Sequence, residues 1–300
     1  MKKLIALVDG PSLLYRTYFA QKAKTITVDP ALVTRMVLNK INNLAAMNGV
    51  EETFVAWEGM NSLDSRKALL PDYKGTRSSN EDVHPYVDHF IENVVQHDVT
   101  SIRHDDLEAD DTIAEICRLS SVKDNETEVV IIASTDKDLR QLAIYADVFN
   151  PYSNEKAHTK GWAAEIDDYS MNPKDIPFYL ALQGDKSDNI PPACSGIGHK
   201  TANDIVAFMS HHIYDLVDCG DLHRGATSYD AYRKYREFTE SERKAVFNFD
   251  IASGRIMKFI NMIDMNRLAI NMKLTSLPFV PNNTWENSLS EFIRLTRILR

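Results

Sequence analysis

Short runs of branched apolar residues recur along the first half of the chain, and acidic residues follow each of them. Residues 3–8 (KLIALV) stop at Asp9-Gly10-Pro11, and residues 53–57 (TFVAW) stop at Glu58. Residues 128–133 (EVVIIA) lead into Ser134-Thr135-Asp136-Lys137-Asp138. A further run at 99–102 precedes His104-Asp105-Asp106-Leu107 and then Glu108-Ala109-Asp110-Asp111. Between the runs, residues 30–47 space Leu32, Val33, Met36, Val37, Ile41 and Leu44 at helical intervals, with Asp29 as N-cap and Gly49 past the end. Residues 86–95 place Val87, Phe90, Ile91, Val94 and Val95 in the same way. Strands alternating with helices through about residue 150 predict an α/β fold with a parallel-rich central sheet flanked by helices. Ligands bind such sheets at the carboxyl edge, where Asp9 and the other acids would sit.

A second informative stretch is 184–202, GDKSDNIPPACSGIGHKTA. If the apolar run 176–182 is helical, Asp185 and Asp188 at i and i+3 leave one face together. Gly196-Ile197-Gly198 followed by His199, Lys200 and Thr201 predicts a tight turn opening a helix, whose backbone N–H groups suit a phosphate. From residue 173 the pattern is helical, with expected helices at 203–210, 228–238 and 241–251. The last two carry a basic cluster of Arg233, Lys234, Arg236, Arg243 and Lys244. No motif marks the last fifty residues.

Alone, an acid pair is a solvated face and a Gly-x-Gly turn is a helix start. Together, and with the acids upstream, the Gly-Asp-x-x-Asp-Asn-Ile-Pro and Gly-x-Gly-x-Lys segments resemble the signature of the 5′-nuclease superfamily. That superfamily comprises flap endonucleases and 5′-3′ exonucleases, including the 5′-nuclease domain of bacterial DNA polymerase I. Glu108-Ala109-Asp110-Asp111, Ser134-x-Asp136-Lys137-Asp138 and the segment from Asp9 to Arg16 are similar to further family motifs. Glu58 stands where the family usually has Asp, with Asp64 as a nearby competitor, and Pro192-Ala193-Cys194 replaces a glycine-led turn.

The resemblance implies a PIN-like nuclease core over 1–172 and a helical region over 173–300 containing a helix-three-turn-helix, with a short arch segment near 74–95. It implies Asp9, Glu58, Glu108 and Asp110 as ligands of one ion, Asp136, Asp138, Asp185 and Asp188 of another, and Asp111 as acting through a bound water. It gives Lys74 and Arg77 a catalytic role at the scissile phosphate and has Tyr73 stack on the terminal base. Arg16, Gly196, Gly198, Lys200 and Thr201 would contact DNA. The implied activity is structure-selective 5′-3′ exonuclease or flap endonuclease cleavage in replication or repair, leaving a 5′-phosphate.

Nine carboxylates cannot share a pocket uncompensated, because like charges held close repel and raise each other's pKa. Ligation by oxygen alone, without His or Cys, indicates Mg²⁺, with Mn²⁺ as a substitute, and the resemblance implies two such ions. K⁺ at the helix-three-turn-helix is a further implied cofactor. The net charge of −9 at first opposes a nucleic-acid partner. Two divalent ions would return about four positive charges where a phosphate must sit. Expected partners are DNA with 5′ flaps, overhangs or nicks, RNA/DNA primers, and a DNA polymerase or single-strand-binding protein. No apolar run of about eighteen residues predicts a membrane span, and the start is too short for a signal peptide, so a cytoplasmic location is expected, the host's if the chain is phage-encoded. From the length, a free-standing nuclease without an attached polymerase is expected. Cys117, Cys194 and Cys219 are widely spaced, which argues against a disulfide framework or zinc site. Two rival readings are a PIN-like ribonuclease and a non-catalytic branched-DNA-binding relative.

Overall fold

The computed structural model describes residues 2–76, 83–94, 99–121, 127–153, 155–161, 164–218, 220–221, 225–246 and 251–279. The chain forms two compact units, one of Met1–Pro71, Arg77–Ala164 and Leu277–Arg300, the other of Asp72–Thr76 and Glu165–Ser276. This division differs from a single cut after residue 172. The segment 72–76 belongs with the helical unit because it bonds to the 188–189 turn, and Leu277–Phe279 belong with the sheet unit.

In the first unit β1 (Lys3–Asp9) runs into α1 (Gly10–Lys22), followed by α2 (Pro30–Met47), β2 (Glu52–Trp57), α3 (Asp64–Leu69) and α4 (His84–Asn93). Then come β3 (Val99–Arg103), α5 (Ala109–Ser120), β4 (Thr127–Ala133), a 3₁₀ helix at Asp138–Ile144, β5 (Asp147–Asn150) and β6 (Glu155–His158). The six strands form one sheet in the order β3-β2-β1-β4-β5-β6. All neighbours pair in parallel except β6, which is antiparallel to β5.

The continuous apolar runs are explained by burial of both sheet faces. Ile5 and Leu7 of β1 face Ile113, Ile116 and Cys117 of α5, while Ala6 and Val8 join Leu13, Leu14, Val33, Val37 and Phe90 from α1, α2 and α4. Each fully buried Leu, Ile or Val contributes roughly 1.5–3 kcal/mol from area removed from water. The α2 start follows from local chemistry: Asp29 accepts a hydrogen bond from Ala31 N–H, and Pro30 sits where its missing donor is harmless.

The second unit opens with the hairpin of β7 (Ala164–Ile166) and β8 (Tyr169–Met171), whose turn holds Asp167 and Asp168 at positive φ. The helices are α6 (Ile176–Gln183), α7 (His199–His211), α8 (Ile213–Leu216), α9 (Ser228–Glu237), α10 (Glu240–Val246), α11 (Ile251–Met262) and α12 (Met265–Thr275). α6 is apolar on all sides and therefore central. Asn271 of α12 donates to the carbonyls of Ala181 and Pro191 at 2.9 and 2.7 Å, tying α12 to both sides of the acid turn. Arg236 and Arg243 of the expected basic cluster donate to the Ile260, Tyr235 and Arg236 carbonyls, so they join helices of this unit.

Candidate metal centre

Parallel register brings the strand-end acids to one edge of the first unit. Asp9 pairs with Ala56 and Val8 with Ala133, so Asp9, Glu58 and the loop after Ala133 all emerge at the carboxyl ends of adjacent strands. Asp9 is buried, and its two oxygens have different jobs. Oδ1 accepts from Ser12 N–H at 3.1 Å, capping α1, and Oδ2 accepts from Ser134 Oγ at 2.6 Å. Ser134 Oγ in turn accepts from Asp136 N–H at 2.9 Å, and Asp136 Oδ1 accepts from Asp138 N–H at 2.9 Å. Ser12 and Thr135 hydroxyls meet at 2.9 Å. Charge-assisted bonds of this kind hold a carboxylate more firmly than neutral ones.

The start of α5 supplies the second acidic group. Glu108, Asp110 and Asp111 each present an oxygen within 4.8 Å of the others. Arg66, buried on α3, forks onto Asp111 at 2.6 and 2.9 Å and reaches Glu108 Oε2 at 3.1 Å. Asp111 is fully buried with both oxygens bonded, an arrangement different from the water-mediated ligand expected. Glu58 accepts from Ala109 N–H at 3.2 Å, so its longer side chain caps α5 from the end of β2. Glu108, the N-cap residue itself, makes no side-chain cap bond. Three clustered carboxylates, two of them met by one guanidinium, with oxygen as the only donor type, fit a hard divalent cation.

The second unit carries Asp185 and Asp188, but not on a helix face. α6 ends at Gln183 because Gly184 adopts φ 74°, where a Cβ would lie 2.4 Å from the Ile190 carbonyl oxygen. The chain then closes on itself, Asp185 and Ile190 exchanging backbone bonds at 2.8 Å each. Ser187 donates to Asp185 Oδ1 from its amide and its hydroxyl at 2.8 and 2.6 Å. Segment 72–76 docks on this turn: Lys74 N–H donates to the Asp188 carbonyl at 2.9 Å, Tyr73 Oη–H to Asp188 Oδ2 at 3.2 Å, and Thr76 to Asn189 at 2.7 Å. Tyr73 is 2% exposed, its ring buried in this structure, where the expectation is a ring stacked on the terminal base. Lys74 sits at φ 52° with Nζ 5.3 Å from the Tyr73 ring centroid.

Gly196 is at φ 86° and Gly198 is the N-cap of α7, as the turn motif predicts, with Lys200 exposed and Thr201 half-buried in the first turn. His199 Nδ1 lies 3.1 Å from Asp167 Oδ2 and 3.2 Å from Tyr179 Oη. Burial, and then the Asp167 carboxylate, push the Tyr179 phenol well above its ordinary range. Exposed Arg16 stacks its guanidinium 4.2 Å from the Tyr152 ring centroid. Arg77 and the arch residues 77–82 lie outside the described residues. Sequence reasoning missed two residues that organise the first unit's acids. Ser134 lies inside the Ser-x-Asp-Lys-Asp motif without a role of its own, and no local pattern distinguishes Arg66, which only its partners' geometry identifies.

The family described as 5′-3′ exonuclease, N-terminal resolvase-like domain, matches residues 4–167. A 5′-3′ exonuclease of Bacillus subtilis is 31% identical over 212 residues, covering 67% of this chain and 69% of that protein. DNA polymerase I of Mycobacterium tuberculosis is 29% identical over 238 residues, 77% of this chain, and the chain spans 26% of that relative's length. Among solved structures, the T5 5′-exonuclease with zinc bound superposes with a TM-score of 0.65 at 18% identity, covering 97% of this chain and 98% of that one. This last likeness is one of fold. Among the described residues, no helix is long and apolar enough to cross a membrane.

Proposed function

Because the chain belongs to the 5′-3′ exonuclease family, we propose that it is a metal-dependent nuclease that hydrolyses phosphodiester bonds near the 5′ end of DNA. It selects substrates by structure, such as flaps, overhangs and nicks, and leaves a 5′-phosphate. The observation that carries the reading is the gathering of Asp9, Glu58, the Asp136–Asp138 loop and the α5 acids at one edge of the sheet unit.

Mg²⁺ is the proposed ion. Divalent cations bound by such oxygens lower the pKa of water and neutralise charge on a phosphoryl group. Asp9, Glu108, Asp110, Asp136 and Asp138 are the first unit's proposed ligands, with Glu58 joining them through whatever its cap bond leaves. Within the second unit, Asp185 and Asp188 are the proposed metal ligands. Asp111 is committed to Arg66 and supports Glu108 instead. Lys74, and Arg77 as a second cation, would steady charge developing on the scissile phosphate. The first turn of α7, with Gly196, Gly198, Lys200 and Thr201, would hold duplex phosphates, and Arg16 would add a further contact. Phosphate contacts fix register and shape without reading base sequence. Tyr73 is proposed as the residue that holds Asp188.

The test is cleavage of a 5′-labelled DNA flap in Mg²⁺, with a free or a blocked 5′ end, beside an RNA duplex and the variant Asp136→Ala. Cutting of the free DNA flap near its junction, lost in Asp136→Ala, supports the reading, and sparing of the blocked end adds threading. Cutting of RNA alone moves the chain to the PIN-like ribonuclease reading. Binding of the flap with no cleavage in Mg²⁺ or Mn²⁺ would make it a non-catalytic DNA-binding relative.

A further inference from the structure

Arg66 is 1% exposed, and a buried guanidinium is tolerated only where its fork is matched by acceptors. Its match is the Asp111 carboxylate in a bidentate pair, with Glu108 Oε2 touched by the same Nη1. The arrangement is closed from the far end of the chain. Phe279 N–H donates to Asp111 Oδ1 at 2.7 Å, and its ring centroid lies 4.5 Å from the Arg66 guanidinium carbon. Two residues earlier, Leu277 N–H donates to Gln141 Oε1 at 2.9 Å, and Gln141 Nε2 donates to the Asp138 carbonyl at 2.9 Å. A strap of three residues therefore touches two acid-bearing elements of the sheet unit, the start of α5 directly and, through Gln141, the 3₁₀ helix that begins at Asp138.

We infer that Arg66 and the strap Leu277–Phe279 form a brace that sets the divalent-metal affinity of Glu108, with Arg66 and Phe279 as positioning residues. The inference rests on the reading that Glu108 holds a metal ion. Asp111 gives both oxygens to the brace, one to Nη1 and the other to Nη2 and Phe279 N–H, and so leaves ligation to Glu108 and Asp110. Arg66 meets the Glu108 carboxylate at Oε2, the arrangement by which outer partners orient a ligand. Phe279 keeps water from the fork by lying over it, half apolar cover and half cation–π contact. The acidic motif of α5 thus depends on residues 168 positions away in sequence.

The experiment is equilibrium Mn²⁺ binding to the full chain, read by electron paramagnetic resonance of the free ion, with circular dichroism melting as a check on folding. Arg66→Lys keeps the charge and loses the fork, and Phe279→Leu keeps apolar cover and loses the ring. Both are expected to weaken Mn²⁺ binding about tenfold, while binding of flap DNA in EDTA stays at the wild-type level. In a Glu108→Gln background, Arg66→Lys should add less than about twofold, because its effect passes through Glu108. Should Arg66→Lys fail to fold, Phe279→Leu carries the comparison. Undiminished Mn²⁺ binding by folded variants, or a loss that adds in full to Glu108→Gln, overturns the brace alone. A wild-type chain that binds no Mn²⁺ overturns the metal reading and the brace with it.

Discussion

Ser134 Oγ donates to Asp9 Oδ2 at 2.6 Å, joining the carboxyl ends of neighbouring strands β1 and β4. The same oxygen accepts the Asp136 amide, so one hydroxyl orients an acid on one strand and the loop that carries two more.

Ser134→Ala removes the donor and the acceptor at once. A hydrogen bond to a charged group contributes roughly 1.5–3 kcal/mol, and loss in that range is expected by urea unfolding. Activity on a flap should fall more than tenfold, as for other partners that orient metal ligands. Wild-type stability and activity in this variant would mean that Asp9 is held by other groups.

Tyr73→Phe separates two roles. If the ring stacks on a base, Phe preserves activity; the burial of Tyr73 and its bond to Asp188 favour the hydroxyl. The expected outcome is about a tenfold lower kcat with KM for DNA unchanged. Steady-state kinetics with an unaltered kcat would return the residue to base stacking.

Glu58 reaches the α5 start because it is one methylene longer than Asp. Glu58→Asp should withdraw the acceptor from Ala109 N–H, lowering stability by about 1 kcal/mol with no gain in activity. Glu58→Gln keeps an acceptor and loses only its charge near the helix N-terminus, about 0.3–1 kcal/mol. A large rise in activity in Glu58→Asp would show instead that Glu58 handicaps the site.

Burial pushes the Cys117 thiol well above its ordinary range. The native thiol therefore stays protonated where an unfolded one ionises, at about pH 8.5. Its folded pKa is raised, so its contribution is complete below that pH and is lost as pH rises, with a limiting slope of about 1.4 kcal/mol per pH unit. Chemical denaturation from pH 7 to 9.5 should show a shallower decline in Cys117→Ala than in wild type. Labelling by a disulfide reagent at pH 8, read by mass spectrometry, should find Cys117 protected until the chain unfolds.

The α/β layering was legible because parallel strands buried on both faces must be apolar throughout. The run 3–8 appears as β1 and the 30–47 periodicity as α2 with its Asp29 cap. The acids were legible as groups at strand ends. Their partners were not, since no local pattern sets Ser134 or Arg66 apart from other serines and arginines until the fold places them. The helical reading of Asp185 and Asp188 failed for a local reason: Gly184 ends α6 at a positive φ before either acid.

By itself the sequence determined the alternation of strands and helices in the first half, the family and the residue types available to hold a cation, because these follow from burial patterning and short motifs. Tertiary structure alone decided which carboxylates are occupied: Asp111 by Arg66 and Phe279, Glu58 by Ala109, Asp188 by Tyr73. The physical reason is that a hydrogen bond depends on distances of a few ångströms between residues 45 to 168 positions apart, which no local pattern encodes.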